Sequence, residues 1–213
     1  MIRKVYLPEA GFKASDIPEL FQEEQIQYEK IDVLNWPDKF PYKPLVEFAM
    51  AHTGREILIH YRVVEKTSRA AAGKDMGSVW EDSCVEFFSS PDGKVYYNLE
   101  CNCIGKVLLC CGAGRHDRVP APAEVLSKIQ RWASLGSEPF AETSAGPWEV
   151  CLIVPVEFYF KHKIENLDGL QVKANFYKCG DLLQTPHFLS YAPISTPDPD
   201  FHRPEFFVPV AFE

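Results

Sequence analysis

Long apolar runs are missing from this 213-residue sequence. No stretch approaches the roughly 20 residues of a transmembrane helix, and Met1-Ile2-Arg3-Lys4-Val5-Tyr6-Leu7-Pro8 lacks the apolar segment of a signal peptide. The expectation is a cytoplasmic protein as written, secreted only if a leader was trimmed. Positive charge is also short, with 22 Lys plus Arg against 30 Asp plus Glu and a net charge of -8. Neutralising phosphates takes clustered Lys and Arg, so neither nucleic acid nor an anionic membrane surface is an expected partner. There is no internal repeat, low-complexity tract, charged tail or Gly/Ser linker, so a single domain over 1–213 is the simplest organisation, with 1–45 as an N-terminal extension packing on the rest. Methionine is scarce, at 3 residues, whereas Phe 15, Tyr 9, Trp 4 and Pro 17 favour many short strands over helix bundles.

The seven cysteines are an odd number without a framework spacing, which fits reduced thiols better than a disulfide scaffold. Cys101, Cys103, Cys110, Cys111 and His116 have the density of a zinc site. On a strand, however, Cys110 and Cys111 point to opposite faces and cannot easily share one tetrahedral ion, so no metal site is expected. No cysteine sits in a recognisable nucleophile motif, and no catalytic residue is assigned on that ground.

One short helix is expected over Asp16–Glu24, with Ser15 as N-cap and Pro18 in the first turn. Strand signals then dominate. Val46–His52 and Glu56–Glu65 form a hairpin in which Ile57, Ile59, Tyr61 and Val63 alternate with Leu58, His60 and Arg62, giving one buried face. Asp82–Ser89 and Val95–Asn102 flank the turn Pro91-Asp92-Gly93-Lys94. A two-residue Asp-Gly loop would mix charge and hydrophobe on both faces. A three-residue Asp92-Gly93-Lys94 loop pairs Val85 with Cys101 and Phe87 with Leu99 on one face, and Glu86 with Glu100 and Phe88 with Asn98 on the other, and is preferred for that segregation. Opposed carboxylates repel by a few tenths to ~1 kcal/mol, so this polar face is either a recognition surface or a solvated face neutralised by Lys. Lys106–Cys111, Trp148–Val156, Gln171–Tyr177 and Phe206–Phe212 complete an expected all-β, antiparallel β-sandwich with one or two short peripheral helices. The state of Ala123–Leu135 stays open.

Val79-Trp80-Glu81-Asp82-Ser83-Cys84-Val85-Glu86-Phe87-Phe88 resembles the family 9 carbohydrate-binding modules, in which a Trp, Asp-Ser and Val-Glu-hydrophobic-Phe open a central strand. Tyr96–Gly105 is similar to the partner strand, and Val172–Tyr177 with Phe201-His202-Arg203-Pro204-Glu205-Phe206-Phe207 to the last two strands and the loop before the C-terminus. The resemblance implies non-catalytic binding of a mono- or oligosaccharide in a glycan-utilisation setting, with the ring between two aromatics. Pyranose faces carry C–H groups that pack on aromatic rings, while the hydroxyl rim suits carboxylates and carboxamides. On this basis the ligand-binding candidates are Trp80, Glu86, Phe88, Asn98, Glu100, Phe201, His202 and Arg203. The sequence departs from the family at Phe201, where a tryptophan is expected, and at Glu100, where the family can place a basic residue. Trp80 also suits a seal over the core end, and Trp148 reads as core, while Trp36 and Trp132 are reserve platforms. Arg115, His116 and Arg118 read as solvent-exposed loop charges, although an anionic sugar such as a uronic acid would give them a purpose. Family members often carry structural calcium. No Asp-x-Asp-x-Asp loop marks such a site here, and no cofactor is assigned. Two alternatives stay open: a glycoside hydrolase using Glu86 and Glu100 as its carboxylate pair, or a protein-interaction or redox-cofactor sandwich.

Overall fold

The computed structural model describes residues 1–8, 11–144 and 146–213. Seven longer strands carry the fold: β1 (Leu45–His52), β2 (Glu56–Val64), β3 (Cys84–Ser90), β4 (Tyr96–Asn102), β5 (Val107–Gly112), β6 (Trp148–Pro155) and β7 (Gln171–Cys179). One sheet runs β1-β2-β6, with Arg3–Lys4 and Glu29–Lys30 beside β1 and Gln130–Ala133 beside β6. The other runs β5-β4-β3-β7, with Val119–Pro120 beyond β5 and with Phe188–Ser190 and Val208–Ala211 pairing separate parts of β7. The seven strands pair antiparallel throughout; the short Arg3–Lys4 strand joins β1 in parallel. This is the antiparallel sandwich expected, with a short helix, α1 (Ile17–Glu23), and a one-turn helix, Ala123–Leu126.

Alternation along each strand builds the core. Ile57, Ile59, Tyr61 and Val63 of β2 meet Val85 and Phe87 of β3, Leu99 and Cys101 of β4 and Phe176 of β7 in one buried cluster, together with Trp148. Phe87 and Phe176 stack with centroids 5.1 Å apart. The expectation of a single buried face for the β1–β2 hairpin needs correction. Leu58, Ala49 and Ala51 are covered by Ile17, Leu20 and Phe21 from the N-terminal segment. The helix also starts differently from the expectation. A 3-10 turn over Ala14–Asp16 precedes it, Lys13 N donates to Asp16 Oδ2 at 2.9 Å, and the Ser15 hydroxyl is turned to Asp16 Oδ1. Asp16, not Ser15, is therefore the N-cap residue, with its side chain bonded back to the Lys13 N–H and not to the helix, while Pro18 sits in the first turn as expected. The open segment Ala123–Leu135 divides into the one-turn helix and the strand Gln130–Ala133.

The β3–β4 hairpin takes the three-residue register, with Val85 opposite Cys101, Glu86 opposite Glu100 and Phe88 opposite Asn98. Asp92 Oδ1 accepts hydrogen bonds from the Lys94 and Val95 backbone N–H groups at 2.8 and 3.1 Å, and Gly93 has φ 71, which an L side chain rarely tolerates. The polar face of this hairpin is not solvated. Segments after β5, after β7 and around residue 201 cover it, forming a third cluster of Phe88, Tyr96, Tyr177, Phe201 and Phe207. Between the sheets, Lys178 is fully buried and pairs with Glu65 at 2.8 Å, while Trp148 Nε1 donates to Glu65 Oε1 at 2.7 Å.

Candidate functional site

Glu86 and Glu100 are directly opposite on β3 and β4, on the sheet face away from the main core, and both are 3% exposed. Above them lies a cavity of about 210 Å³ whose walls include Trp80, Leu108, Asp181 and Phe201. Trp80 comes from a 3-10 turn over Val79–Glu81 just before β3 and is half-buried. Its carbonyl accepts the Asp181 N–H at 3.3 Å, tying the wall after β7 to the Trp80 turn. Phe201 stacks on Tyr177 with centroids 4.2 Å apart at 9°, and the Tyr177 hydroxyl donates to its carbonyl at 3.2 Å.

The floor is chemically unusual. Asn98 Nδ2 donates to Glu100 Oε1 at 2.9 Å, and the Cys179 thiol donates to Glu86 Oε1 at 3.1 Å. Burial, then the charge of Glu100, pushes the Glu86 carboxyl well above the ordinary carboxylate range. Burial raises Glu100 to about 7, with Asn98 and Arg118 pulling against it. Two carboxyls this close and this dry hold a proton between them near neutrality, so the floor offers one O–H donor beside carboxylate acceptors. Burial likewise lifts Asp181 to about 6. His202 is driven down to about 3, first by burial and then by the Arg118 and Arg115 charges, and stays neutral. The Tyr96 hydroxyl lies 3.0 Å from His202 Nδ1.

Of the eight sequence candidates, Trp80, Glu86, Glu100, Phe201 and His202 line this one cavity. Asn98 is buried beneath it and reaches it through Glu100. Phe88 does not face the cavity as anticipated: it is fully buried among Tyr96, Tyr177 and His202 and backs the floor. Arg203 is also misplaced by the sequence reading, since it turns outward to Glu205 with Nε···Oε1 at 2.8 Å. Phe201 is a wall more than an exposed platform, being spent largely on Tyr177 and on Trp36, whose ring lies 6.2 Å away. Among the reserve tryptophans Trp36 supports this wall, while Trp132 packs in the N-terminal cluster. Of the loop charges read as solvated, Arg115 and His116 are exposed as expected while also lining the cavity, and Arg118 is the one drawn in. Asp181 and Phe188 line it too, and no local pattern marked them, because their place depends on β7 pairing with β3 and with Phe188–Ser190.

Gly112 lets the arginine loop sit close to β5. A Cβ there would come 2.7 Å from Arg118 Cα and 2.9 Å from its backbone nitrogen. Gly112→Ala is therefore expected to displace the loop at a cost of ~1–3 kcal/mol, read as a lowered Tm in thermal unfolding; an unchanged Tm would show the loop free to move.

Among the described residues, the one trio of potential metal ligands with donor atoms within 4.8 Å is Cys84, Glu86 and Cys179. Burial raises Cys84 to about 12 and Cys179 well above the usual thiol range, so both are protonated. Two thiols do not suit the all-oxygen shell of calcium, and no calcium is assigned there. The cysteines of the 101–111 stretch are small core groups, apart from the half-buried Cys110.

The sequence model of carbohydrate-binding family 9 matches residues 15–212. A crystal structure from Bacteroides uniformis ATCC 8492, provisionally named for carbohydrate binding, is 49% identical, covers 100% of this chain and 97% of its own, and superposes with a TM-score of 0.95. Two structures of a family 9 module from Caldicellulosiruptor kristjanssonii share the fold. The glucose complex has a TM-score of 0.60 at 8% identity, and the cellotriose complex 0.63 at 7%, each covering 100% of this chain and 95% and 94% of its own. No curated protein matches the chain.

Proposed function

Because the chain belongs to carbohydrate-binding family 9, we propose that it binds a saccharide, without chemistry, in the cavity between Trp80 and Phe201. The observation that carries this reading is a set of unmade hydrogen bonds. Glu100 Oε2 and Arg118 Nη1, on residues that line the cavity, are buried without partners, and Asn98 Oδ1 beneath them is as well. Buried polar atoms are normally paired, so an acceptor and a donor left open on cavity residues beside a half-buried tryptophan suit a hydroxylated ring. Trp80 supplies the apolar face for the ring C–H groups, and Glu86, holding its proton, can donate to a hydroxyl oxygen. At about 210 Å³ the cavity is below the roughly 300–1,000 Å³ of drug-sized sites and suits one ring of a longer ligand.

The family is one of non-catalytic modules, which weighs against the glycosidase alternative. Incubation with aryl glycosides is expected to release no aglycone above buffer, and release abolished by Glu86→Gln would reverse that reading. We place the binding activity in glycan utilisation in the cytoplasm. Calorimetric titration with a panel of mono- and oligosaccharides tests the function itself. At least one is expected to bind, and Trp80→Ala to weaken it ~30-fold, corresponding to ~2 kcal/mol of a buried aromatic anchor. No heat with any sugar would overturn the proposal.

A further inference from the structure

Three arginines of this protein have side chains about equally exposed, and they differ in what they meet. Arg69 (20%) bonds to Asp82 at 2.9 Å and Arg131 (21%) to Asp75 at 2.6 Å. Arg118 (20%) has its closest carboxylate, Glu100, at 3.9 Å and makes no hydrogen bond to it, although Nη1 is buried. Its orientation is nonetheless fixed, because Nε donates to the Arg115 carbonyl at 2.9 Å and Gly112 packs against its backbone. Arg115, on the same cavity wall, approaches Asp200 only to 3.6 Å. The loop's own acid gives no neutralisation, since Asp117 Oδ1 is turned back to accept the Gly114 N–H at 2.6 Å.

A guanidinium with a buried nitrogen that bonds no anion is costly, and it is held here by a built loop. One hydroxyl would supply an acceptor but no compensating charge. A carboxylate supplies both and matches the planar fork of arginine. Resting on the sugar-binding reading above, we infer that the sugar this cavity takes carries a carboxylate, as in a hexuronic acid, seated between Arg118 and Arg115 with its ring toward Trp80. Four acids line the cavity with the arginines: Glu86 keeps its proton and can donate to the same carboxylate, Asp200 faces Arg115 at 3.6 Å, and Glu100 and Asp181, raised to about 7 and about 6, favour the anion most on the acidic side of neutrality.

The test is a calorimetric comparison of matched pairs, glucuronate with glucose and galacturonate with galactose, on the full chain. At least one uronate is expected to bind about tenfold or more tightly than its neutral counterpart, the difference of one charge-assisted bidentate contact. Arg118→Gln is expected to reduce that ratio to within about twofold, and Arg115→Gln to reduce it less, with far-UV circular dichroism checking that each variant is folded. Should Arg118→Gln fail to fold, the wild-type ratio and Arg115→Gln still decide. Neutral sugars binding as tightly as the uronates would overturn this inference and leave the sugar-binding reading standing, whereas silence from all four would count against both.

Discussion

Lys178→Met is expected to lower the unfolding free energy by about 3–5 kcal/mol. Lys178 lies on β7 opposite Val85, so its side chain points between the sheets, where it pairs with Glu65 at 2.8 Å and lies 2.7 Å from His187 Nε2. Burial alone would raise the Glu65 carboxyl; the Lys178 charge and hydrogen bonds from His187 and Lys178 outweigh it and leave it at about 2. Removing the lysine strands that carboxylate in the core, and the uncompensated charge accounts for most of the loss. Adding Glu65→Gln removes the charge while keeping an oxygen for Trp148 Nε1, and is expected to recover at least half. Equilibrium urea unfolding reads both effects. A Lys178→Met penalty under ~1 kcal/mol would show that the pair contributes little.

The second large effect is the pH dependence of the carboxyl pair. Glu100 titrates near 7 in the fold against 4.5 when unfolded, so between those values the native state binds the extra proton. Its share of stability is fully present below pH 4.5 and is lost as pH rises towards 7, on the order of 3 kcal/mol for one carboxyl. Glu86, raised further, extends the loss upward. Glu65 and His202 have lowered values and act in the opposite sense, losing stability as pH falls. A difference measurement separates the two. Relative to the parent, Glu100→Gln is expected to gain stability progressively from pH 4.5 to 7, because the contributions of Glu65 and His202 are common to both proteins. Parallel pH profiles for the two proteins would mean that the dyad is not held near neutrality as described.

The β3–β4 register was legible because side-chain period alone decides it: one pairing segregates Val85 and Phe87 from Glu86, and the other does not. Trp80, Glu86, Glu100, Phe201 and His202 were legible as a set through the resemblance, and they converge on one cavity. Burial of the polar face was not legible. It depends on the segments after β5, after β7 and around residue 201 folding over β3, and no periodicity reports what covers a sheet. Phe88 shares a face with Glu86, yet the covering loop makes the one a support and the other a floor. Arg118 was misread for the same reason, since its charge looks solvated until Gly112 brings the loop against the sheet. Lys178 lay beyond the expected end of its strand, and a buried lysine is visible only once Glu65 and His187 are placed around it.

Saccharide binding in the Trp80 cavity is tested by a crystal structure with a saturating monosaccharide that binds in solution. The ring is expected to lie against Trp80, with hydroxyl contacts to Glu100 and a polar contact to Arg118. A sugar bound elsewhere, for instance in the cleft beside Phe48 and Tyr191, with the Trp80 cavity holding only water, would contradict it.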